Sequence, residues 1–512
     1  MKAYIQFAED YLELTLDICN SIKKQMPNCQ FDGITIRRKT CQIKVEKLDH
    51  NTGIEHTRWL NDIETAILNK KAPAYNLKEL SHKIGSRNIR QIIAADREIG
   101  RGFLSGGLQE STPLTRKIDK EPHLRQQLVL GMIDYYLDYF NTHRPDFIFL
   151  NEITFYWELI IYHTATHLNI PCFTLLYLRP TEHYMITNNP FERCTAIENT
   201  YNHFLSNPPD ADPYVVEAKA CLNNALNSDS LPLASKQLKR KILEQASIYG
   251  LLKTIFLDIA KCAATTLGVA GTKGYLHQNN SAEILKTNLR RFILVRATLK
   301  KRSLFESFNT LKDTPYIFYP LHVEPESSIL VRSEKFTNQL AFIEQVAKNM
   351  PYGHRLLVKE HLPMLGKRPP GFYERIKSLP DVHLINPLEN GTKLVKNAKL
   401  VSVLTGTAGW EAIIRGIPTL LIGQAQYSSI RFGLHRTNNL IDLDQAIEKA
   451  LQIPPAEKHQ ILLYIAAVIA AQTKMKRRDF AYHHYGDNYQ KIRSEGGADQ
   501  IAQQILNQLR PS

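Results

Sequence analysis

Residues 404–412 read Leu-Thr-Gly-Thr-Ala-Gly-Trp-Glu-Ala, which end one short apolar run and open a helical pattern. Two other stretches occupy the same kind of position: Tyr-Pro-Leu-His-Val-Glu-Pro-Glu at 319–326 and Val-Lys-Glu-His-Leu-Pro at 358–363. Open α/β sheets bind their ligands in the crevice at the carboxyl ends of the strands. The region from 316 to 423 therefore predicts a parallel sheet with three sets of polar side chains at its ligand-binding edge.

The stretch from 404 to 412 has the residue types of a phosphate site. Gly406 and Gly409 allow a tight turn and a close approach to a ligand. Thr405 and Thr407 can cap the helix and donate to phosphate oxygens, next to free N–H groups of the helix start. Glu411 falls in the first turn, where it could accept hydrogen bonds from ribose hydroxyls. An ordinary capped junction, with the carboxylate answering the helix dipole, fits the same residues.

The other two strand ends carry ionisable side chains. Lys359 or His361 could pair with a phosphate, and Glu360 could orient the imidazole. His322 and Glu326 follow the first strand of the region and would face the cleft of a two-domain enzyme. A polar loop with an internal salt bridge is the alternative for both places.

The rest of the chain predicts a second α/β unit and a helical region. Helix and strand alternate through 128–176, so residues 1–196 read as an N-terminal α/β domain. Residues 197–312 have long helical periodicity, including a helix over Glu283–Phe308, and read as a helical insertion or linker. Residues 313–475 read as a C-terminal Rossmann-like domain, and helices in 476–512 could pack back on the N-terminal domain.

The first α/β unit contributes its own candidates at strand ends. Glu152 follows the expected strand Asp146–Leu150, and Glu182 follows Cys172–Leu176, so either carboxylate could act as a general base. Arg179 lies beside Glu182. A pair of solvated loop carboxylates is the alternative interpretation.

The net charge of +14, from 64 basic and 50 acidic residues, favours an anionic partner. Nucleotide sugars, acidic glycans, nucleic acid and an anionic membrane all qualify, as does a solvated basic surface. No RNA or DNA motif is present, so we expect no nucleic-acid partner. Seven cysteines show neither CxxC nor metal spacing, which predicts reduced thiols in a cytoplasm and no metal site.

No apolar run reaches the roughly 18 residues that span a bilayer, and no signal-peptide core precedes the first strand. The longest run, Ile461–Ala471, reads as a buried helix. Lys474-Met-Lys-Arg-Arg478 follows it and allows peripheral contact with anionic lipid at the inner face of the cytoplasmic membrane.

The C-terminal motifs resemble the capsule polysaccharide synthesis family, which includes bacterial β-Kdo transferases of capsule export. The matching segments stand in the family's order and spacing over about 110 residues: Phe318–Glu326, Val358–Pro363, Tyr373–Ile376, Leu379–Ile385, Thr405–Ala412 and Gly416–Pro418. A weaker match lies at Leu178-Arg-Pro180 and Ile186-Thr187.

The resemblance implies a cytoplasmic GT-B glycosyltransferase, with two Rossmann-like domains and its active site in the cleft. The C-terminal domain would bind the nucleotide-sugar donor, which is a CMP-sugar such as CMP-Kdo in the Kdo transferases. By the matches, His361 and Thr405–Thr407 would contact the donor phosphate, and Glu411 or Glu326 the ribose or base. The acceptor, a capsular polysaccharide or glycolipid, would lie against the N-terminal domain near Arg179, and no cofactor would be needed.

Two departures from the family pattern keep other functions open. Leu362 separates the family's adjacent His and Pro, and Leu175–Leu178 stands where the family often has an acidic residue. A sugar-nucleotide epimerase of similar architecture and a non-catalytic scaffold in a polysaccharide assembly or export complex are the alternatives.

Overall fold

The structure is a computed structural model. It describes residues 1–8, 11–36, 53–70, 75–101, 107, 111–191, 194–227, 240, 244, 247–266, 276–277, 281–475 and 496–509. These residues form two α/β domains, each with a six-stranded sheet.

The first sheet has the strand order β3-β2-β1-β4-β5-β6, and every pair is parallel except β5–β6. Its central strand β1 is buried on both faces after its first residue, as expected of a parallel sheet covered by helices. The strands are β1 Lys2–Ala8, β2 Gln30–Ile36, β3 Ile54–Trp59, β4 Phe147–Leu150, β5 Cys172–Leu178 and β6 His183–Thr187.

The second sheet is entirely parallel and has the order β12-β11-β10-β7-β8-β9. The order reverses between β7 and β10, which is the topological switch point where open sheets bind ligands. The strands are β7 Tyr316–Pro320, β8 Arg355–Lys359, β9 Val382–Ile385, β10 Leu400–Val403, β11 Thr419–Leu421 and β12 Leu434–Arg436. The two Rossmann-like domains expected from the sequence are confirmed.

Helices cover both sheets. Those of the first domain are Leu12–Gln25, Leu60–Leu68, Leu77–Leu80, Ser86–Ala94, Pro113–Lys120, His123–His143 and Tyr156–His167, with a π-helical turn at Ser81–Gly85. Those of the second are Ser327–Leu330, Gln339–Asn349, Phe372–Lys377, Gly391–Asn397, Thr407–Ile413, Leu443–Leu451 and Lys458–Ala471. Short 3₁₀ turns lie at Pro208–Ala211, Arg302–Leu304, Phe308–Thr310, Glu334–Phe336 and Leu362–Met364.

The region between the sheets contains the helices Thr195–Ser206, Asp212–Asn227, Ile248–Thr266 and Ser281–Lys300. The first two pack on helix Lys458–Ala471 in the core of the second domain, where Tyr201 and Leu222 are buried. They therefore belong to that core and do not form a separate linker.

The helix expected over Glu283–Phe308 ends at Lys300, so its last part was wrong. The main chain of Glu306 instead lies along the edge of β9. Its N–H donates to the Leu384 carbonyl at 2.8 Å, and Asn386 N–H donates back to its carbonyl at 3.0 Å. Pairing with a sheet edge outweighs the helical periodicity here.

The chain returns to the first domain after helix Lys458–Ala471. Tyr184 N–H donates to the Met475 carbonyl at 3.0 Å, and Thr473 N–H donates to the Tyr184 carbonyl at 2.7 Å. The last helix, Gly497–Leu509, buries Ile501 and Ile505 in the core that also contains helix Leu12–Gln25.

Within the described residues, no helix is long and apolar enough to cross a bilayer. The apolar run Ile461–Ala471 is largely buried against the second domain. Residues 476–478 of the basic run that follows lie outside the described residues. Cys19, Cys29, Cys172, Cys194 and Cys221 are free thiols.

Candidate functional site

A cleft of about 540 Å³ lies where the carboxyl ends of the two sheets face each other. The first domain contributes residues that follow β4, residues 174–177 of β5, Arg179, and Pro190 with Phe191. The second domain contributes the ends of β7, β8 and β10. The cleft therefore lies at the edge of the second sheet where the order of its strands reverses.

His322 and Thr405 form the floor of the cleft at this reversal. Thr405 N–H donates to His322 Nε2 at 3.4 Å. Because Nε2 accepts this bond, a neutral imidazole carries its proton on Nδ1. Burial, with help from the nearby His361 and Arg368, lowers the pKa of His322 to about 3, although Gln339 opposes the shift. The ring is therefore neutral at physiological pH.

Two buried polar atoms on this floor have no hydrogen bond of normal geometry within the described part of the chain. They are His322 Nδ1 and Thr405 Oγ1, and both residues line the cleft. A buried donor without a partner costs about 1–3 kcal/mol, so such atoms mark a place for a polar ligand.

The main chain of His322 is held from two sides. Its N–H donates to Gln339 Oε1 at 2.7 Å, and its carbonyl accepts from Gln339 Nε2 at 3.2 Å. Arg368 donates to the same carbonyl at 2.7 Å. The position of the imidazole is thus set before any ligand arrives.

Arg368 belongs to a buried ion-pair cluster behind the cleft. Its guanidinium donates to both carboxylate oxygens of Glu360, at 2.8 and 3.0 Å, and to Glu324 at 3.3 Å. Tyr373 also donates to Glu360 at 2.8 Å. Glu360 accepts a bond from the His361 main-chain N–H at 2.8 Å. It therefore fixes the backbone of His361, where we had expected it to orient the imidazole.

His361 and Lys359 leave the end of β8 on either side of Glu360. His361 is exposed and lines the cleft. Although part of the side chain is open to solvent, the surrounding protein desolvates the ring and so lowers the pKa of His361, while Glu360 opposes the shift. Lys359 donates to the Glu360 carbonyl at 3.2 Å and is not among the residues that line the cleft.

Tyr427 and His322 explain the two glycines of the 404–412 stretch. Its hydroxyl donates to the Gly406 carbonyl. A Cβ on Gly409 would lie 2.3 Å from that hydroxyl, and a Cβ on Gly406 would lie 3.0 Å from His322 Nε2. The absence of a side chain at Gly409 therefore makes room for Tyr427, whereas the sequence had suggested that a ligand approaches closely there.

Glu411 also differs from the expectation. Gly406 is the N-cap of helix Thr407–Ile413, so Glu411 is the fifth residue of the helix and not in its first turn. Burial raises the pKa of Glu411, while Arg415 opposes the shift. Glu411 is not among the cleft-lining residues.

Glu152 lines the opposite wall of the cleft. Its carboxylate accepts hydrogen bonds from Tyr11 at 3.2 Å and from Tyr184 at 3.4 Å, both at Oε1. Two phenols thus hold one carboxylate at the end of β4. A carboxylate in this place could accept a proton from a bound hydroxyl.

Arg179 and Glu182 lie in the turn between β5 and β6. Arg179 lines the cleft, and its guanidinium lies 4.8 Å from the centre of the Tyr177 ring. Glu182 has a positive φ of 60° in the turn and is not among the cleft-lining residues. Of the two candidate bases, the structure brings Glu152 to the cleft.

The family of capsule polysaccharide biosynthesis proteins matches residues 228–502, more than half of the chain. The chain belongs to this family. The resemblance found in the sequence is thereby confirmed, and the matched region contains all three strand-end stretches of the second domain. Glu152 and Arg179 lie outside it.

Solved structures resemble the chain weakly. UDP-GlcNAc 2-epimerase from Neisseria meningitidis, bound to UDP-GlcNAc, is 12% identical over 92% of this chain and 98% of that chain, with a TM-score of 0.23. The β-Kdo 2,4 transferase of Thermosulfurimonas dismutans KpsC is 11% identical over 64% and 80%, with a TM-score of 0.28. The β-Kdo 2,7 transferase of that protein is 20% identical over 35% and 55%, with a TM-score of 0.22. Similarities this weak assign no function to the chain, and no curated protein matches it.

For this family member, the cleft brings together eight of the residues singled out in the sequence. They are Glu152, Arg179, His322, Glu326, His361, Thr405, Gly406 and Thr407. Glu182, Lys359, Gly409 and Glu411 lie outside the lining. Glu326 is exposed and accepts a bond from Ser328 at 2.8 Å.

Sequence reasoning missed Arg332, which lines the cleft, and the supporting residues Gln339, Arg368 and Tyr427. Arg368 and Tyr427 lie in loops without helical or strand periodicity, so no local pattern marks them. Among the described residues, no group of three or more His, Cys, Asp or Glu side chains is arranged so that it could hold a metal ion. The polar groups available to an anionic ligand are instead the cations, imidazoles and threonines of the cleft.

Proposed function

We propose that this member of the capsule polysaccharide biosynthesis family is a glycosyltransferase. It would move a sugar from a nucleotide-sugar donor to a polysaccharide or glycolipid acceptor. The observation that carries the proposal is a pair of polar atoms on the floor of an interdomain cleft, Thr405 Oγ1 and His322 Nδ1, that have no hydrogen-bond partner among the described residues.

The donor would lie on the second domain. Thr405 and Thr407 could donate to its phosphate, and His361 would lie at the same edge. A neutral His322 can still donate one hydrogen bond from Nδ1. The family membership favours a sugar donor, and the motif order favours a CMP-sugar such as CMP-Kdo. Glu326 and Glu411 are the candidates for the ribose or base, with Glu326 at the cleft.

The acceptor would lie on the first domain, between Glu152 and Arg179. In the transfer step, an acceptor hydroxyl attacks the anomeric carbon of the donor and passes its proton to the Glu152 carboxylate. The bond from the anomeric carbon to the phosphate oxygen breaks, and its electron pair leaves with the nucleotide. Arg179 and Arg332 can offset the charge that develops on the leaving phosphate, so we expect no metal cofactor.

The function is tested by incubating the protein with CMP-, UDP- and GDP-sugars and measuring release of the free nucleotide, with and without oligosaccharide acceptors. We expect one nucleotide class to be released, and faster with acceptor. An isomerised nucleotide sugar formed from donor alone would show an epimerase instead. No turnover of any donor would overturn the proposal.

Glu152→Gln separates catalysis from binding. It keeps the size of the side chain but removes the base, so transfer should fall by about 10²-fold or more. Nucleotide affinity should stay the same, because Glu152 belongs to the other domain. Glu182→Gln is the matched control and should keep full activity. Equal loss in both variants would contradict the role of Glu152.

A further inference from the structure

Helix Ile248–Thr266 carries a row of apolar side chains that face solvent. Tyr249, Leu252, Phe256 and Ile259 follow each other at spacings of three and four residues, so they lie on one face of the helix. They are 77%, 60%, 72% and 54% exposed. We refer to these four residues as the apolar row. Contiguous apolar surface of this kind marks an interaction site.

The partner helix of this pair supplies positive charge. Helix Ser281–Lys300 packs against Ile248–Thr266. Its exposed positions include Lys286, Arg290 and Lys300. Ile293, 63% exposed, lies on the same exposed stripe. The helix pair thus combines exposed apolar and cationic side chains, within a chain of net charge +14.

We propose that this helix pair docks the protein on an anionic membrane surface. The apolar row would enter the boundary between headgroups and acyl chains, as interfacial amphipathic helices do. Lys286, Arg290 and Lys300 would lie near the lipid phosphates, each basic residue adding attraction to an anionic leaflet. The charge complementarity selects an anionic lipid surface over an apolar protein groove. The sequence had suggested such contact after Ile461–Ala471, which the structure buries in the second domain.

The helix pair lies next to the cleft. Arg291 donates to the Pro363 carbonyl at 3.2 Å. Val295 packs with Leu365 in a small buried cluster. Pro363 and His361, two residues away, line the cleft. Docking would therefore bring the cleft close to the lipid surface, and this consequence rests on the proposed function: a lipid-linked acceptor would reach the cleft without leaving the membrane.

The test is flotation of the full chain with vesicles of phosphatidylcholine alone or with phosphatidylglycerol added. We expect binding to the anionic vesicles only, weakened by salt. Leu252→Ser/Phe256→Ser should reduce the bound fraction on the order of tenfold, since burial of large apolar side chains drives insertion. Lys286→Glu/Arg290→Glu should give a similar loss. Because all four side chains are already exposed, the melting temperature should stay unchanged.

Two controls change exposed residues elsewhere. Ile441→Ser removes an 88% exposed isoleucine, and Lys219→Glu reverses an exposed charge on helix Asp212–Asn227, and both should bind like the unchanged chain. Absence of binding to anionic vesicles would overturn the proposal, as would binding that Leu252→Ser/Phe256→Ser leaves intact. Sedimentation showing a dimer that this variant dissociates would assign the apolar row to a second copy. No nucleotide is used, so a negative result leaves the proposed function standing.

Discussion

Arg368, which the sequence analysis did not single out, connects three parts of the site's framework. It joins the carbonyl of His322 to the carboxylates of Glu360 and Glu324, with its own side chain 2% exposed. Two strand ends of the second sheet are thereby tied to one guanidinium. Planar, bidentate pairing of this kind needs arginine.

Arg368→Met should lower the free energy of unfolding by about 3–5 kcal/mol, because it leaves two carboxylates buried without their cation. Urea unfolding followed by circular dichroism measures the change. Arg375→Met is the matched control, since its pair with Glu344 is 55% exposed on the arginine side. It should cost about 0–1 kcal/mol. Equal effects of the two substitutions would contradict a structural role for the buried cluster.

The junction between β10 and helix Thr407–Ile413 shows what a single element can and cannot reveal in sequence. The strand, the glycines and the helix start follow from local residue preferences. The contact of Gly409 with Tyr427 does not, because the tyrosine comes from a loop beyond the next strand. Glu411 was placed in the first turn from its distance to the glycines alone, but the helix begins at Thr407 and Glu411 is its fifth residue.

Gly409→Ala should lower the free energy of unfolding by about 1–3 kcal/mol, since its Cβ would lie 2.3 Å from the Tyr427 hydroxyl. Adding Tyr427→Phe removes that hydroxyl and should recover part of the loss. Gly391→Ala is the control: its Cβ would have no atom of the described residues within 4 Å, so stability should be unchanged or rise slightly. A neutral Gly409→Ala would show that the loop does not hold the tyrosine as described.

The helical region is attached to the first domain by a short segment. His277 lies between Glu64, at 2.8 Å, and Glu98. Burial alone would lower the pKa of His277, but the two carboxylates outweigh it and raise the pKa well above its ordinary value. The main-chain N–H of the neighbouring Leu276 donates to Asn61 Oδ1 at 2.7 Å. No local sequence pattern predicts the contact between His277 and Glu64, which are 213 positions apart.

His277→Gln should lower the free energy of unfolding by about 3 kcal/mol at about pH 6, because Glu64 and Glu98 both lose a buried cation. A raised folded-state pKa means that the stabilisation is complete below the unfolded value of about 6.5 and is lost as pH rises through the folded value. The difference between the two proteins should therefore shrink with rising pH in urea unfolding.

The control for this experiment is His203→Gln, whose pair with Asp210 is more than half exposed on both sides. It should change stability by about 0.5 kcal/mol or less. A His277 effect that does not vary with pH would mean that the charge of the imidazole is not what stabilises the segment.

At the scale of the molecule, the sequence predicted the two sheets because their buried strands alternate with helices. It missed β2 and β3, whose residues include Asp32, Gly33 and the polar Glu55–Arg58, and it missed the hairpin strand β6. Strands near a sheet edge need fewer apolar residues and leave a weaker pattern. The sequence analysis also assigned the helices before Asn227 to a separate insertion. Thr195–Ser206 and Asp212–Asn227 instead complete the core of the second domain.

The sequence predicted which residues lie at the strand ends of each sheet. It did not predict which residues of the two domains face each other across the cleft. Polar residues at strand ends follow from local sequence, as for His322, His361 and Thr405. Which of Glu152 and Glu182 faces them depends on the length of β5 and on the position of one domain against the other. Long-range placement of this kind leaves no signal in one sequence.

The central claim is that the floor of the cleft binds the phosphate of a nucleotide sugar, and calorimetric titration of CMP and UDP tests it most directly. The unchanged chain should bind one of them, and Thr405→Val should weaken that affinity about tenfold or more, because a hydrogen bond to a charged group is worth about 1.5–3 kcal/mol. The same substitution should not destabilise the fold, since Thr405 Oγ1 has no partner among the described residues. Thr35→Val is the matched control, because it removes a buried hydrogen bond to the Arg58 carbonyl in the other domain. It should destabilise the fold and leave the nucleotide affinity unchanged. Absence of binding at millimolar nucleotide, or equal affinity of Thr405→Val and the unchanged chain, would contradict the account.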